Sequence, residues 1–190
     1  MARPFQLLLP AMWLCWAAYW WAASANVKPT ARRESIPSRL SHIAPLGLAV
    51  VLLAFPTLPV PVLAERILPQ GIWTFGVGAL LTLGGLLFAA WARTYLGRNW
   101  SGIVTVKEGH ELVTGGPYAV VRHPIYTGLW LAVIGSALAR AEWRGVLAVA
   151  LVLWAFWRKL RIEERWMLGQ FGGAYEDYAK RTAALIPFLL

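Results

Sequence analysis

The sequence predicts an all-α integral membrane protein, a single domain over residues 1–190 built on about five transmembrane helices. Three observations carry this. Of the 190 residues, 58% are hydrophobic and only 14% charged, and the mean hydropathy is +0.54, a composition foreign to water-soluble domains of this size. The apolar residues gather into five runs. The basic residues between those runs are shared unevenly among the connecting loops.

The same features exclude other classes. The net charge of +9 is that of loops lying at anionic lipid surfaces. No basic stripe is interleaved with stacking aromatics, so nucleic acid is not expected as a partner. Cys15 is the only cysteine, which rules out an internal disulfide and a cysteine metal cluster. Between Leu14 and Trp16 it reads as a small core hydrophobe.

Phe5 to Ala23 is the first run. It reads as a retained helix and not a signal peptide, because only Arg3 precedes it and Trp16, Trp20 and Trp21 stand where small cleavage-site residues would be. Asn26 to His42 is a polar, basic loop. Ile43 to Leu63 is the second run; Pro56, Pro59 and Pro61 end its helix near Phe55. Glu65 and Arg66 mark a short loop closed by Pro69 and Gly71. Ile72 to Ala92 is the third run, with Gly76, Gly78, Gly84 and Gly85 inside it. Two readings stand for these glycines: close helix packing in lipid, or the ordinary abundance of glycine in membrane helices. Trp20, Trp21, Trp73, Trp91, Trp143 and Trp157 lie near run ends, as interfacial anchors would.

Residues 1–95 thus hold three transmembrane helices, and 96–190 form a second region. Arg93 to Arg122 is the longest polar stretch, and Ile103 to Val106 within it suits a short extended segment; a connection this long is usually functional. Pro124 to Ala139 and Gly145 to Trp157 form a helical hairpin around Arg140, Glu142 and Arg144, its second helix running on to about Met167. Gly172-Gly173 ends it, Tyr175 to Arg181 makes a surface turn or short helix, and Ala183 to Leu190 lies on or against the membrane. Lys28 to Arg39, Arg93 to Arg122 and Arg158 to Arg181 hold 14 of the 18 basic residues. The charge rule places them in the cytoplasm, with the N-terminus outside and the C-terminus inside. The chain is then multi-pass, in the inner membrane if the source is bacterial.

Polar groups concentrate at Gly115–Gly128, GGPYAVVRHPIYTG. Gly115-Gly116-Pro117 breaks the backbone, and Pro124 suits the first turn of a helix. Tyr118, Arg122 and His123 therefore sit at a helix N-terminus by the membrane surface, a place favourable to an anion. His110 and His123 find no third ligand and no H-x-x-x-H partner, so no metal is expected. For His123 a hydrogen bond at the helix N-terminus is the plainer reading. Glu163 and Glu164 form either a solvated face paired with neighbouring Lys159 and Arg161, or a carboxylate site for a cation.

The pattern G-P-Y-x-x-x-R-H-P-x-Y-x-G over Gly116–Gly128, with His110-Glu111-Leu112-Val113 before it and Glu163-Glu164, Phe171-Gly172, Tyr175, Tyr178 and Ile186-Pro187 after it, resembles the isoprenylcysteine carboxyl methyltransferase family, in its prokaryotic form, and its phospholipid methyltransferase relatives. The resemblance covers about Leu96 to Pro187. It implies an S-adenosyl-L-methionine cofactor, leaving as S-adenosyl-L-homocysteine, bound by His110, Leu112, Val113, Tyr118, His123, Pro124, Tyr126 and Glu163, the last on the amino group. Glu164 is then a helix-stabilising neighbour. Lys159, Tyr126 and Arg122 are the candidate catalytic residues; Lys159 stands where the eukaryotic enzymes carry arginine, without arginine's bidentate fork. The implied acceptor is lipophilic and comes from the bilayer. Carboxyl O-methylation of an isoprenylcysteine-like substrate leads, with a phospholipid amine or a thiol as alternatives. An amine or thiol would need a base, for which Tyr126, His123 and Glu164 are at hand. A nicotinamide-dependent sterol-reductase-like enzyme and a non-catalytic membrane protein also remain open.

Overall fold

The computed structural model describes residues 3–25, 30–55, 60–100, 105–107, 111–187 and 189. Its long helices are α1 (Arg3–Ala23), α2 (Ile36–Ala54), α4 (Ile72–Leu96), α5 (Pro124–Arg140) and α6 (Trp143–Phe171), joined by the short α3 (Pro61–Ala64) and α7 (Gly173–Arg181). The strands β1 (Thr30–Arg33) and β2 (Thr105–Lys107) pair antiparallel with an irregularity between Thr30 and Arg32. Among the described residues the fold is thus helical apart from one small ribbon. That ribbon uses residues expected in the first basic loop and in the extended segment; Ile103 and Val104 lie outside the described residues.

Helix boundaries differ from expectation: α4 runs to Leu96, not Ala92, and α6 to Phe171, not about Met167. α2 begins at Ile36, not at Ile43, because Ser35 caps it by accepting from the Ser38 amide and Pro37 fits its first turn. At 29 residues, α6 is about 43 Å long. That exceeds a hydrocarbon core of about 30 Å, so its charged C-terminal turns reach past any membrane it crosses. By length and composition, Ile36–Ala54 and Ile72–Asn99 can each cross a membrane, and Leu7–Ala23 is a shorter apolar helix.

α4 and α5 run antiparallel in close contact, and here the glycines divide. Gly78 and Gly85 face α5: a Cβ on Gly78 would meet the Gly135 carbonyl oxygen at 2.6 Å. Likewise a Cβ on Gly128 would meet the Gly85 carbonyl oxygen at 2.6 Å. Gly76 and Gly84 meet nothing. Each of the two readings of these glycines therefore holds for one pair. The seam also carries Thr82, whose hydroxyl donates to Gly78 O at 2.8 Å and lies 3.2 Å from Ser136 Oγ, to which Trp13 Nε1 donates from α1. Gly85→Ala is expected to cost about 1–3 kcal/mol through overpacking. Gly84→Ala should be neutral or gain up to about 1 kcal/mol from helix propensity. Thermal unfolding of the two variants in detergent checks this, and equal melting temperatures would refute the close-approach assignment.

The remaining helices fill in around this pair. α6 packs on α5 and on α2, joining Ala49, Leu52, Val133, Ala148, Val152 and Phe156 in one core. At one end, Ile67 N donates to Ala141 O at 2.8 Å and Trp143 N to Glu65 O at 3.1 Å. Arg144, almost wholly buried, there binds Glu142 at 2.8 Å. The ribbon lies between the chain segments that precede α2 and follow α4.

Three expectations are corrected. Cys15 is exposed, on the outer side of α1. Trp21 and Trp73 are outward, at 81% and 84% exposed, but Trp20 turns inward, stacking on Trp16 at 4.6 Å and edge-on to Trp100 at 5.3 Å. The C-terminal stretch does not merely lie against the membrane side: Thr182 to Leu185 is buried, and Ala183 bridges Val121 in parallel.

Candidate active site

The site begins at a turn that needs glycine. Gly116 has φ +58°, and Tyr95 packs so closely that a Cβ on Gly115 would lie 2.5 Å from its hydroxyl. The 3₁₀ turn Gly116–Ala119 follows. It buries Tyr118, whose hydroxyl donates to Ala92 O at 3.4 Å and whose carbonyl accepts from Tyr178 at 2.6 Å.

The amides of Arg122 and His123 donate to Ala183 O and Ala184 O at 2.8 and 3.1 Å, and Thr127 Oγ1 donates to Leu185 O at 2.6 Å. The C-terminal segment is therefore a strap across the start of α5. It takes the two amides just before Pro124. Arg122 itself donates from Nε to Glu164 Oε1 at 2.8 Å and from its terminal nitrogen to Ala179 O at 2.9 Å and to Thr182 O. Its partners are all protein groups that hold the strap. Glu164 likewise reaches across the fold, where a local helix pairing was expected.

His123 precedes α5 but makes no side-chain cap, so the plainer reading of this histidine does not hold. Its ring lies between two carboxylates: Nδ1 is 3.5 Å from Glu163 Oε2 and Nε2 is 3.4 Å from Glu164 Oε1. Burial pushes the imidazole pKa down, but the contacts with Glu163 and Glu164 outweigh it and the net shift is up. The imidazolium is the form that offers a proton to both oxygens. Burial raises the Glu163 carboxyl, yet the His123 contact, the Lys159 charge and Tyr126 leave it below the ordinary range. Tyr126 Oη donates to Glu163 Oε1 at 2.6 Å and Lys159 Nζ lies 4.0 Å from the same oxygen. The Tyr126 ring stacks between His123 and Phe156, with Lys159 Nζ 5.2 Å from its centroid.

These groups open on one cavity of about 320 Å³. It is lined by Leu112, Val113, Tyr118, Arg122, His123, Tyr126, Lys159 and Glu163. Of the residues singled out in the sequence, Pro124 is buried behind the wall at the start of α5, and His110 lies outside the described residues. The cavity also takes in side chains that sequence reasoning did not assign to it. Trp16 and Trp20 come from α1, Trp100 from the 3₁₀ turn that follows α4, Leu46 from α2, and Met167, Tyr175 and Tyr178 from α6 and α7. The i, i+4 spacing of Trp16 and Trp20, one helix face, was the available signal; proximity to the run end pointed to the membrane interface instead.

Residues 73–174, a little over half of the chain, match the phospholipid methyltransferase family. The chain belongs to this family. The match runs from α4 to the start of α7, so α1 and α2 contribute their cavity walls from outside it. Similar proteins include the protein-S-isoprenylcysteine O-methyltransferase of Schizosaccharomyces pombe, 36% identical over 57% of this chain and 47% of that one. The B form from Arabidopsis thaliana is 29% identical over 64% of each chain. The Rattus norvegicus protein of the same name is 32% identical over 64% of this chain and 44% of its own. The chain thus spans about half to two thirds of the relatives it matches. Among solved structures it is similar to a eukaryotic intramembrane Ras methyltransferase, isoprenylcysteine carboxyl methyltransferase, at 26% identity and TM-score 0.54, covering 80% of this chain and 51% of that one.

Proposed function

We propose that this chain is an S-adenosyl-L-methionine-dependent methyltransferase. It acts at the membrane on a lipophilic carboxylate, an isoprenylcysteine-like acid, and forms the methyl ester and S-adenosyl-L-homocysteine. The observation that carries the reading is the single cavity in which the family motif meets Glu163 and Lys159 on one side and apolar walls on the other.

The residues fit the cofactor. A volume of about 320 Å³ lies at the lower end of ligand pockets. Glu163, kept ionised by His123, Lys159 and Tyr126, is an anion for an ammonium group. The rings of Tyr118, Trp20 and Trp100 suit a neighbouring sulfonium. When bound, the cofactor supplies an electrophilic methyl group with a good leaving group. The chain's own contribution is to place the acceptor in line and to keep water out. Lys159, 9% exposed, orients the acceptor carboxylate, while Leu46, Leu129 and Phe156 receive its hydrocarbon part. Pro124 sets the first turn of α5, and Leu112 and Val113 complete the cofactor side; the motif adds His110 to the proposed cofactor residues.

The hydrogen bonds favour an acceptor that is already an anion. The three groups named as bases are all engaged: both His123 nitrogens face carboxylates, the Tyr126 hydroxyl donates to Glu163, and Glu164 holds Arg122. A carboxylate needs none of them, whereas an amine or thiol must lose a proton. The test offers reconstituted protein labelled cofactor with a prenylcysteine analogue, a phosphatidylethanolamine and a short alkyl thiol. Base-labile product from the first alone is expected. Transfer only to the amine or the thiol would replace the acceptor class. Lys159→Met should lower turnover on the carboxylate and leave cofactor affinity nearly unchanged.

All five long helices cross the membrane in this reading, with the N-terminus outside and the cavity on the cytoplasmic side. The skew of basic residues supports this, as does the grouping of loops: Arg66 bridges Glu142 at one end, and β1 pairs with β2 near the other. Single cysteines at Arg39 and Arg66, in a Cys15→Ala background, should react with impermeant reagents from opposite sides. Reaction from the same side would overturn the topology.

A further inference from the structure

A second concavity, of about 480 Å³, lies on the outer face of α6, away from the candidate active site. Its walls are apolar: Leu153, Trp154 and Trp157 on the helix, and Leu185, Ile186 and Leu189 on the C-terminal strap. Trp154 and Trp157 are 53% and 51% exposed, and Leu189 is 61% exposed. The groove is held open from behind, because the strap is tied to the start of α5 through the carbonyls of Ala183, Ala184 and Leu185.

Beyond the groove the same face of α6 becomes basic. Trp154, Trp157 and Arg161 recur at helical spacing on one face of α6. The Arg161 guanidinium lies 5.9 Å from the Trp157 ring centroid. Arg165 follows one turn later, with its Nε on Arg161 O at 3.2 Å. Both arginines are exposed, and among the described residues neither forms an ion pair with an acidic side chain. An apolar trough followed by two unneutralised guanidiniums complements one class of molecule: an acyl chain carrying a phosphate with no compensating cation.

The geometry points to this groove as the seat of one anionic phospholipid, its acyl chain between Trp154, Trp157 and the strap, and its phosphate at Arg161 and Arg165. This rests on the reading of α6 as a membrane helix and goes beyond the methyl-transfer reaction. A strap that positions Arg122 and His123 on one side would then be covered by lipid on the other.

The experiment is native mass spectrometry of the full chain in detergent, with phosphatidylglycerol and phosphatidylcholine of matched acyl chains. One phosphatidylglycerol is expected to be retained, roughly thirtyfold tighter than phosphatidylcholine, given the contribution of each of the two arginines to anionic-lipid binding. Arg161→Gln with Arg165→Gln, two surface changes, should remove the preference. Ala150→Trp, which fills the groove and keeps both arginines, should remove retention. Equal retention of the two lipids by the unaltered chain would overturn the proposal, as would a preference that survives either variant. The measurement needs neither cofactor nor turnover. Failed methyl transfer therefore leaves it standing, and a missing lipid preference leaves the methyltransferase reading untouched.

Discussion

Glu163→Gln is expected to weaken S-adenosyl-L-methionine binding by roughly ten- to hundredfold, since a hydrogen bond to a charged group contributes about 1.5–3 kcal/mol. The substitution keeps the shape of the side chain and its bond from Tyr126. What it removes is the negative charge facing His123 and Lys159. A cationic cofactor then meets two positive neighbours in place of an anion. Isothermal titration in detergent reads the loss directly. Unchanged affinity in a folded Glu163→Gln protein would move the cofactor's amino group to another partner, and Glu111 is the next carboxylate on the cavity wall.

The second large effect is on stability and concerns Arg122 and Glu164. Glu164 is held at a pKa of about 2, against an ordinary 4.5, because the His123 contact and the Arg122 ion pair outweigh burial, which acts the other way. The sign follows from a depressed pKa: the contribution is fully present above pH 4.5 and is lost as the pH falls towards 2. His123 acts oppositely, contributing below its ordinary 6.5 and losing its contribution as pH rises through its raised folded value. Arg122→Met should therefore lower the melting temperature, flatten the acid limb of the stability profile, and expose the C-terminal strap to proteolysis. Arg122→Lys restores only part, since lysine cannot span Glu164 and the strap carbonyls with one planar fork. Full stability of Arg122→Met with turnover abolished would instead make Arg122 a catalytic residue.

These two predictions separate neighbours that look equivalent in the sequence. Glu163 and Glu164 are adjacent acids on one helix, yet successive helical residues point about 100° apart. Glu163 therefore turns to the cavity and Glu164 to the strap. The motif places His123 beside a carboxylate site. It does not say that the ring is shared between two carboxylates, the arrangement on which the proposed reaction without a His123 base rests.

By itself the sequence determined what local chemistry controls. Apolar runs and their charged borders announced a helical membrane protein. The prolines after Phe55, Pro124 and Gly172 mark where helices start and stop, and the ordered motif blocks brought the family and the polar side of the cavity wall into view. Those signals survive because hydropathy, helix breaking and motif spacing are properties of a few neighbouring residues. Only the tertiary structure decided which side of a helix meets which partner. Gly78 and Gly85 touch α5 while Gly76 and Gly84 do not; Trp20 faces the cavity and Trp21 faces outward. Arg122 is spent on a strap from residues about sixty positions away. Each of these depends on contacts between distant segments, whose pairing is set by packing and by the need to satisfy every buried polar group, and no window along the chain carries that information.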